Sequence, residues 1–277
     1  MMLQTFALLI IGLALIVFGA DWLVDGAGAL ARKLGVSEFV IGLTIVGFGT
    51  SCPELVVSLN GAFAGNADIS IGNVLGSNIF NTLLILGMTS VIMPIAITSG
   101  NRKTDIPMGI FTVAIFLLFG YTGKVITTWE GIVFLVLFSI YLYYCFKTGN
   151  AVKDDADDAA TQQNVFKSIL LVAAGLAGLI FGGKWFVSSA ETIARAAGVS
   201  DKFIAVTLLA GGTSLPELAT CIVAASKKKD QLALGNILGS NIFNILLILG
   251  CSALLTPLGF KSVTIVDASV LALSAVI

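Results

Sequence analysis

The chain has 277 residues and a formal net charge of −1, with 57% apolar residues, 11% charged residues and a mean hydropathy of +1.02. A soluble domain carries about 25% charged residues, so this composition excludes an ordinary water-soluble fold and makes lipid the solvent. There is no histidine, which removes Ser-His and Cys-His nucleophile pairs, His-ligated zinc or haem, and a histidine proton relay.

Apolar runs near the ~20 residues needed to span hydrocarbon fall at about 3–24, 39–64, 71–95, 106–122, 126–146, 166–187, 203–226, 234–256 and from 263 to the end. These nine segments read as helices. A spanning β-barrel would need ~10-residue strands of alternating polarity, and no stretch alternates in that way. The first run lacks the basic flank and small-residue cleavage site of a signal peptide, and its pattern recurs around 166–187, so it belongs to the mature fold. The expected class is an all-α polytopic membrane protein.

Basic residues cluster in alternate loops, at Arg32 and Lys33, Arg102 and Lys103, Lys147, Lys153 and Lys167, and Lys227 to Lys229. The positive-inside rule then places the protein in the cell membrane with its N-terminus outside and the 147–165 loop in the cytoplasm. That loop carries Lys153-Asp154-Asp155-Ala156-Asp157-Asp158 and then Ala, Thr, Gln and Asn, the composition of a solvated linker. Four aspartates could also bind Ca²⁺, but the run lacks the glycine and final glutamate of an EF-hand loop. Cys52, Cys145, Cys221 and Cys251 show no metal-ligand spacing and read as small apolar residues. Asp21 and Asp25 read as interfacial residues at a helix end.

Two phrases repeat. GFGTSCPELVVSL from Gly47 resembles AGGTSLPELATCI from Ala210, and GNVLGSNIFNTLLILG from Gly72 resembles GNILGSNIFNILLILG from Gly235. Glu54 with Glu217, Ser77 with Ser240, Asn81 with Asn244, Trp22 with Trp185 and Gly35 with Gly198 all share the offset that separates 54 from 217. Five segments fill one offset, so the second copy enters the membrane inverted, the plan of many secondary transporters. The expected organisation is a first repeat over 1–146, the linker 147–165, and a second repeat over 166–277 whose tenth helix falls beyond Ile277.

The chemistry gathers at the repeated Pro-Glu. Pro53 and Pro216 lack an amide hydrogen and, inside a helix, free the carbonyls four residues back on Gly49 and Gly212. Such carbonyls must be buried in protein or line a cavity. Glu54 and Glu217 follow each break, with Thr50, Ser51, Thr213 and Ser214 beside them. The next segments add Ser77 with Asn81 and Ser240 with Asn244, each pair spaced i, i+4 on one helix face. A carboxylate within a membrane span marks a functional site. The donors are all oxygen, which suits hard cations such as Ca²⁺ and also Na⁺. Gly72 with Gly76 and Gly235 with Gly239 could serve close helix packing, and Asn78 and Asn241 read as hydrogen-bond glue between helices.

GTSCPE with GSNIFN, and GTSLPE with GSNIFN, resemble the two α-repeats of the sodium/calcium exchanger family, over essentially the whole chain. The resemblance implies a ten-helix inverted-repeat fold, alternating access, a sliding pair formed by segments 1 and 6, and exchange of Na⁺ for Ca²⁺. It places coordinating carboxylates at Glu54 and Glu217, hydroxyl or carbonyl ligands at Thr50, Ser51, Thr213, Ser214, Ser77 and Ser240, carbonyls at Gly47 and Ala210, and an amide at Asn81. Some family members carry Asp where this chain has Asn244, notably the potassium-dependent branch, so K⁺ co-transport is not expected. A Ca²⁺/H⁺ antiporter is the alternative, since paired glutamates can carry protons. An intramembrane enzyme lacks a nucleophile–base pair, and a passive channel fits opposed broken helices poorly. No cofactor, nucleic acid or obligate protein partner is expected beyond the bilayer and the transported ions.

Overall fold

A computed structural model describes residues 2–148, 165–200 and 210–276. Its helices are α1 (Met2–Leu34), α2 (Glu38–Thr50), α3 (Cys52–Phe63), α4 (Ala67–Ile92), α5 (Asn101–Gly123), α6 (Thr128–Thr148), α7 (Val165–Ala196), α8 (Leu215–Ser226), α9 (Asp230–Leu255) and α10 (Ile265–Ser274), with one helical turn at Ala210–Gly212 before α8. In hydrocarbon every backbone polar group must bond within the protein, so apolar runs of this length have little choice but to coil. Most of the linker anticipated at 147–165, with its aspartates, lies outside the described residues.

The repeat reaches the helix boundaries. The one offset carries α3 onto α8 and α4 onto α9 residue for residue, and α1 onto α7 to within one residue. It also reaches the turns. α1 ends at Gly35 and α7 at Gly198, both in the left-handed region (φ 67° and 79°), where a residue without Cβ carries no steric penalty. Gly65 closes the turn after α3 at φ 70°, and Lys228, its counterpart after α8, adopts φ 59° despite its side chain. The same backbone bonds hold both turns, Asn66 N–H to Gly61 O and Lys229 N–H to Ala224 O.

α1 and α7 cross antiparallel with their backbones almost touching. A Cβ on Gly12 would lie 2.7 Å from the Phe186 amide nitrogen, one on Gly19 2.9 Å from the Gly175 carbonyl, and one on Gly26 2.9 Å from the Ser168 carbonyl. Without side chains at these seven-residue intervals the two helices meet backbone to backbone, the small-residue packing of membrane interfaces. Gly235 and Gly239 likewise seat α9 on Phe39 and Leu43 of α2, as anticipated. Gly72 and Gly76 meet nothing among the described residues, and the stretch that the offset would set against them lies outside those residues.

Loops expected on one side of the membrane meet one another. Lys229 Nζ lies 4.0 Å from Glu38, and Gln231 donates to the Ala96 carbonyl. At the opposite end β1 (Val125–Ile126) pairs antiparallel with β2 (Leu258–Gly259), and Tyr121 donates to the Thr264 carbonyl. Asp21 and Asp25 do not sit at a helix end. They lie within α1, whose 33 residues outrun the hydrocarbon, and they share Lys227 at 2.6 and 2.7 Å.

Candidate cation-binding site

Both glutamates stand at the start of a helix. α2 and α3 meet at 47° across Ser51 (φ −82°, ψ 5°), and Ser214 (φ −88°, ψ 7°) makes the equivalent break before α8. The prolines therefore do not kink helix interiors. Pro53 and Pro216 fall in the first turns of α3 and α8, where the missing amide hydrogen has no bond to lose. Glu54 and Glu217 follow, in the first turn, where the helix dipole favours negative charge. Both are fully buried.

The hydroxyls of each break cross to the other repeat. Ser51 donates to Glu217 Oε1 at 3.0 Å, and Ser214 donates to Glu54 Oε1 at 3.1 Å. The partner helices of the same repeat come in behind, Ser77 to Glu54 Oε1 at 3.5 Å and Ser240 to Glu217 Oε1 at 3.4 Å. Each carboxylate thus has one oxygen held by two hydroxyls and the other, Oε2, without a partner among the described residues.

Seven buried side-chain polar atoms lack a hydrogen-bond partner among the described residues, and five belong to this site: Glu54 Oε2, Glu217 Oε2, Asn81 Oδ1, Asn244 Oδ1 and Thr213 Oγ1. A buried polar atom left unpaired costs about 1–3 kcal/mol, so five within the two repeated phrases need an explanation beyond imperfect packing. All are oxygens. No lysine or arginine pairs with either glutamate among the described residues. Two like charges buried near one another without a counter-ion are kept there only at high cost, and a cation seated among these oxygens would offset it. Among the described residues no three His, Cys, Asp or Glu come together, so the rest of such a shell would be hydroxyl, amide and carbonyl oxygen.

Other anticipated donors are placed less directly. Thr50 Oγ1 lies 3.1 Å from both the Val46 carbonyl and Asn236 Oδ1, two acceptors that share its one proton. The Gly47 carbonyl lies 3.4 Å from Ser240 Oγ, turned toward the site, while it also takes the Ser51 amide. Ala210 opens the short turn before Ser214, and its side chain lies outside the described residues. Asn78 and Asn241 do bond across the repeats, as expected.

The sequence reading passed over Asn73 and Asn236. Asn73 donates to the Glu54 carbonyl and to Ser58 Oγ, each at 3.0 Å. Asn236 donates to Cys221 Sγ at 3.2 Å. Cys221 is Ser58 shifted by the repeat offset, so the thiol replaces a hydroxyl as acceptor in the same bond. The shared Gly-Asn of the second phrase was the available signal. Also unforeseen are the π-helical turns Asn81–Leu86 and Phe243–Leu249, an uncommon geometry that recurs at functional sites.

The model of the family described as sodium/calcium exchanger protein matches residues 4–147 and 167–277. The membrane protein MJ0091 of Methanocaldococcus jannaschii is 39% identical over 241 residues, covering 85% of this chain and 77% of that one. The sodium/calcium exchanger MaX1 of Methanosarcina acetivorans is 32% identical over 305 residues, covering 96% and 87%. A structure of the sodium-calcium exchanger NCX_Mj soaked with Na⁺ and Sr²⁺ superposes with a TM-score of 0.88 at 35% identity, over 100% of this chain and 89% of that one. With the paired half-sites, the opposed repeats and a family match over nearly its full length, the chain belongs to the sodium/calcium exchanger protein family.

Proposed function

We propose that this protein exchanges Na⁺ for Ca²⁺ across the cell membrane by alternating access, with the cations seated between Glu54 and Glu217. The observation that carries the reading is the set of buried oxygens without a partner among the described residues, contributed by the repeated phrases of both halves and including one oxygen of each carboxylate. Their combined charge balances one divalent ion, and the hydroxyl and amide oxygens suit Na⁺ when Ca²⁺ leaves. Ligands come from both halves, so a shift of one bundle against the other opens the site to one side at a time. The ligand set comprises Glu54, Glu217, Asn81, Asn244, Thr213 and Ser77, Ser240, Thr50, Ser51 and Ser214, with the carbonyls of Gly47 and Ala210. The relatives support this direction: MaX1 is named a sodium/calcium exchanger, and NCX_Mj was examined in Na⁺, Ca²⁺ and Sr²⁺.

Arg32 and Lys33 close α1, Arg102 and Lys103 open α5, and Lys227 to Lys229 fill the turn after α8; the positive-inside rule supports reading these helix ends, and the 147–165 segment, as cytoplasmic. The N-terminus is then outside. Proton exchange is the weaker reading, because a proton needs none of the additional oxygens.

Vesicles containing the protein and loaded with Na⁺ are expected to take up Ca²⁺ when diluted into Na⁺-free medium, and to ignore a pH gradient alone. Uptake driven by pH and indifferent to Na⁺ would overturn the sodium assignment.

A further inference from the structure

Asn81 and Asn244 can serve a cation only if the oxygen end of each amide faces it. An amide is nearly symmetric in shape and opposite in polarity at its two ends, so something must fix which end points inward. Asn81 Nδ2 donates to Asn241 Oδ1 at 3.1 Å, and Asn244 Nδ2 donates to Asn78 Oδ1 at 2.9 Å. Each inner amide therefore spends its donor end on the other repeat and leaves its oxygen bare.

The outer amides are fixed in turn by acceptors that cannot reverse. Asn78 Nδ2 faces the backbone carbonyl of Asn241 at 3.0 Å, and a carbonyl only accepts. Turning Asn78 over would set oxygen against oxygen. Thr82 donates its hydroxyl proton to the backbone carbonyl of Asn78 at 3.0 Å, which leaves its oxygen to accept from Asn241 Nδ2 at 2.9 Å. Two chains of bonds thus run from backbone carbonyls to the site. One passes from Asn241 O through Asn78 to Asn244. The other passes from Asn78 O through Thr82 and Asn241 to Asn81.

We infer that Asn78, Asn241 and Thr82 are positioning residues that set the polarity of Asn81 and Asn244, so that both present carbonyl oxygen to the transported cation. This rests on the reading of Asn81 and Asn244 as ligands. Thr82 is replaced by Ile245 in the second repeat, so the hydroxyl link is built once and acts on Asn81 through Asn241, while Asn244 is set by Asn78 and the Asn241 carbonyl.

The test uses the full-length protein in Na⁺-loaded vesicles and follows initial Ca²⁺ uptake against external Ca²⁺. Thr82→Val keeps the shape and removes the hydroxyl. It is expected to raise the half-saturating Ca²⁺ about tenfold, to leave the maximal rate within about twofold, and to be reversed by Thr82→Ser. Asn241→Ala, expected to raise half-saturation likewise, carries the test if Thr82→Val does not fold. Unchanged half-saturation in Thr82→Val and Asn241→Ala, or an equal rise in Thr82→Ser, would overturn the inference. Asn81→Ala and Asn244→Ala are measured alongside. If they raise half-saturation while the positioning variants do not, the positioning role alone has failed. If they too have no effect, the ligand reading has failed and takes the inference with it.

Discussion

Ser51, from the break in the first repeat, donates its hydroxyl to Glu217 of the second across 3.0 Å, and Ser214 returns the same bond to Glu54 at 3.1 Å. Each half-site is completed by the other copy. Ser51→Ala and Ser214→Ala are each expected to weaken Ca²⁺ binding about tenfold, since a hydrogen bond to a charged group is worth ~1.5–3 kcal/mol. Calorimetric titration of the purified protein checks this. The double variant should depart from the product of the single effects because both carboxylates address one ion. Strictly multiplicative losses would point to two independent sites.

Glu54→Gln and Glu217→Gln each remove half of the site's charge while keeping shape and one amide oxygen. Uptake of radioactive Ca²⁺ is expected to fall by roughly 100-fold or more in each, the upper range for changes around a bound metal. Because neither charge has a lysine or arginine partner among the described residues, apo-protein stability should rise or stay level. Activity near wild type in either variant would remove that glutamate from the site.

Gly175→Ala tests the contact between α1 and α7. The new Cβ would lie 2.6 Å from the Leu23 amide nitrogen and 2.7 Å from the Gly19 carbonyl, and neither backbone atom can swing aside. Overpacking of this kind costs about 1–3 kcal/mol, and a lowered unfolding midpoint in detergent would register it. Gly87→Ala, at an exposed position of α4 with nothing near its Cβ among the described residues, should not lower the midpoint.

Lys227 ties the turn after α8 to α1. Partial burial works against its ammonium, but Asp21 and Asp25 outweigh that and hold its pKa above the ordinary 10.5. For a lysine raised by its partners, the stabilisation is complete below the unfolded value and is lost as pH climbs through the folded one. Between pH 7 and pH 9 the difference in unfolding midpoint between the wild type and Lys227→Met should therefore stay constant, and above pH 10.5 it should shrink. The difference itself should not exceed ~4 °C, because both aspartates are about half-exposed and solvent screens the pair. Choline chloride, rather than the transported NaCl, is the salt with which to screen it.

The spans, the breaks and both glutamates were legible because each appears twice at one offset, and a costly feature repeated in register is hard to read as accident. The offset aligns like with like, however, and is silent on which copy a side chain reaches. It gave Ser51 and Ser214 as equivalent without showing that they exchange glutamates. It marked Asn78 and Asn241 as bridging but not the direction of their amides, which two backbone carbonyls decide. The Lys227 pair with Asp21 and Asp25 was hidden for a related reason: the second repeat offers Lys184 and Ser188 at the aspartate positions, so no repetition drew attention to it.

The seam of glycines along α1 and α7 has one more consequence. In an ordinary helix pair, side-chain knobs sit in holes of the facing helix, and drawing one helix along its axis means lifting every knob out of its socket. At Gly12, Gly19, Gly175 and Gly182 there are no knobs to lift. At those positions backbone lies against backbone, so an axial shift between α1 and α7 meets less side-chain interlock there than in an ordinary pair.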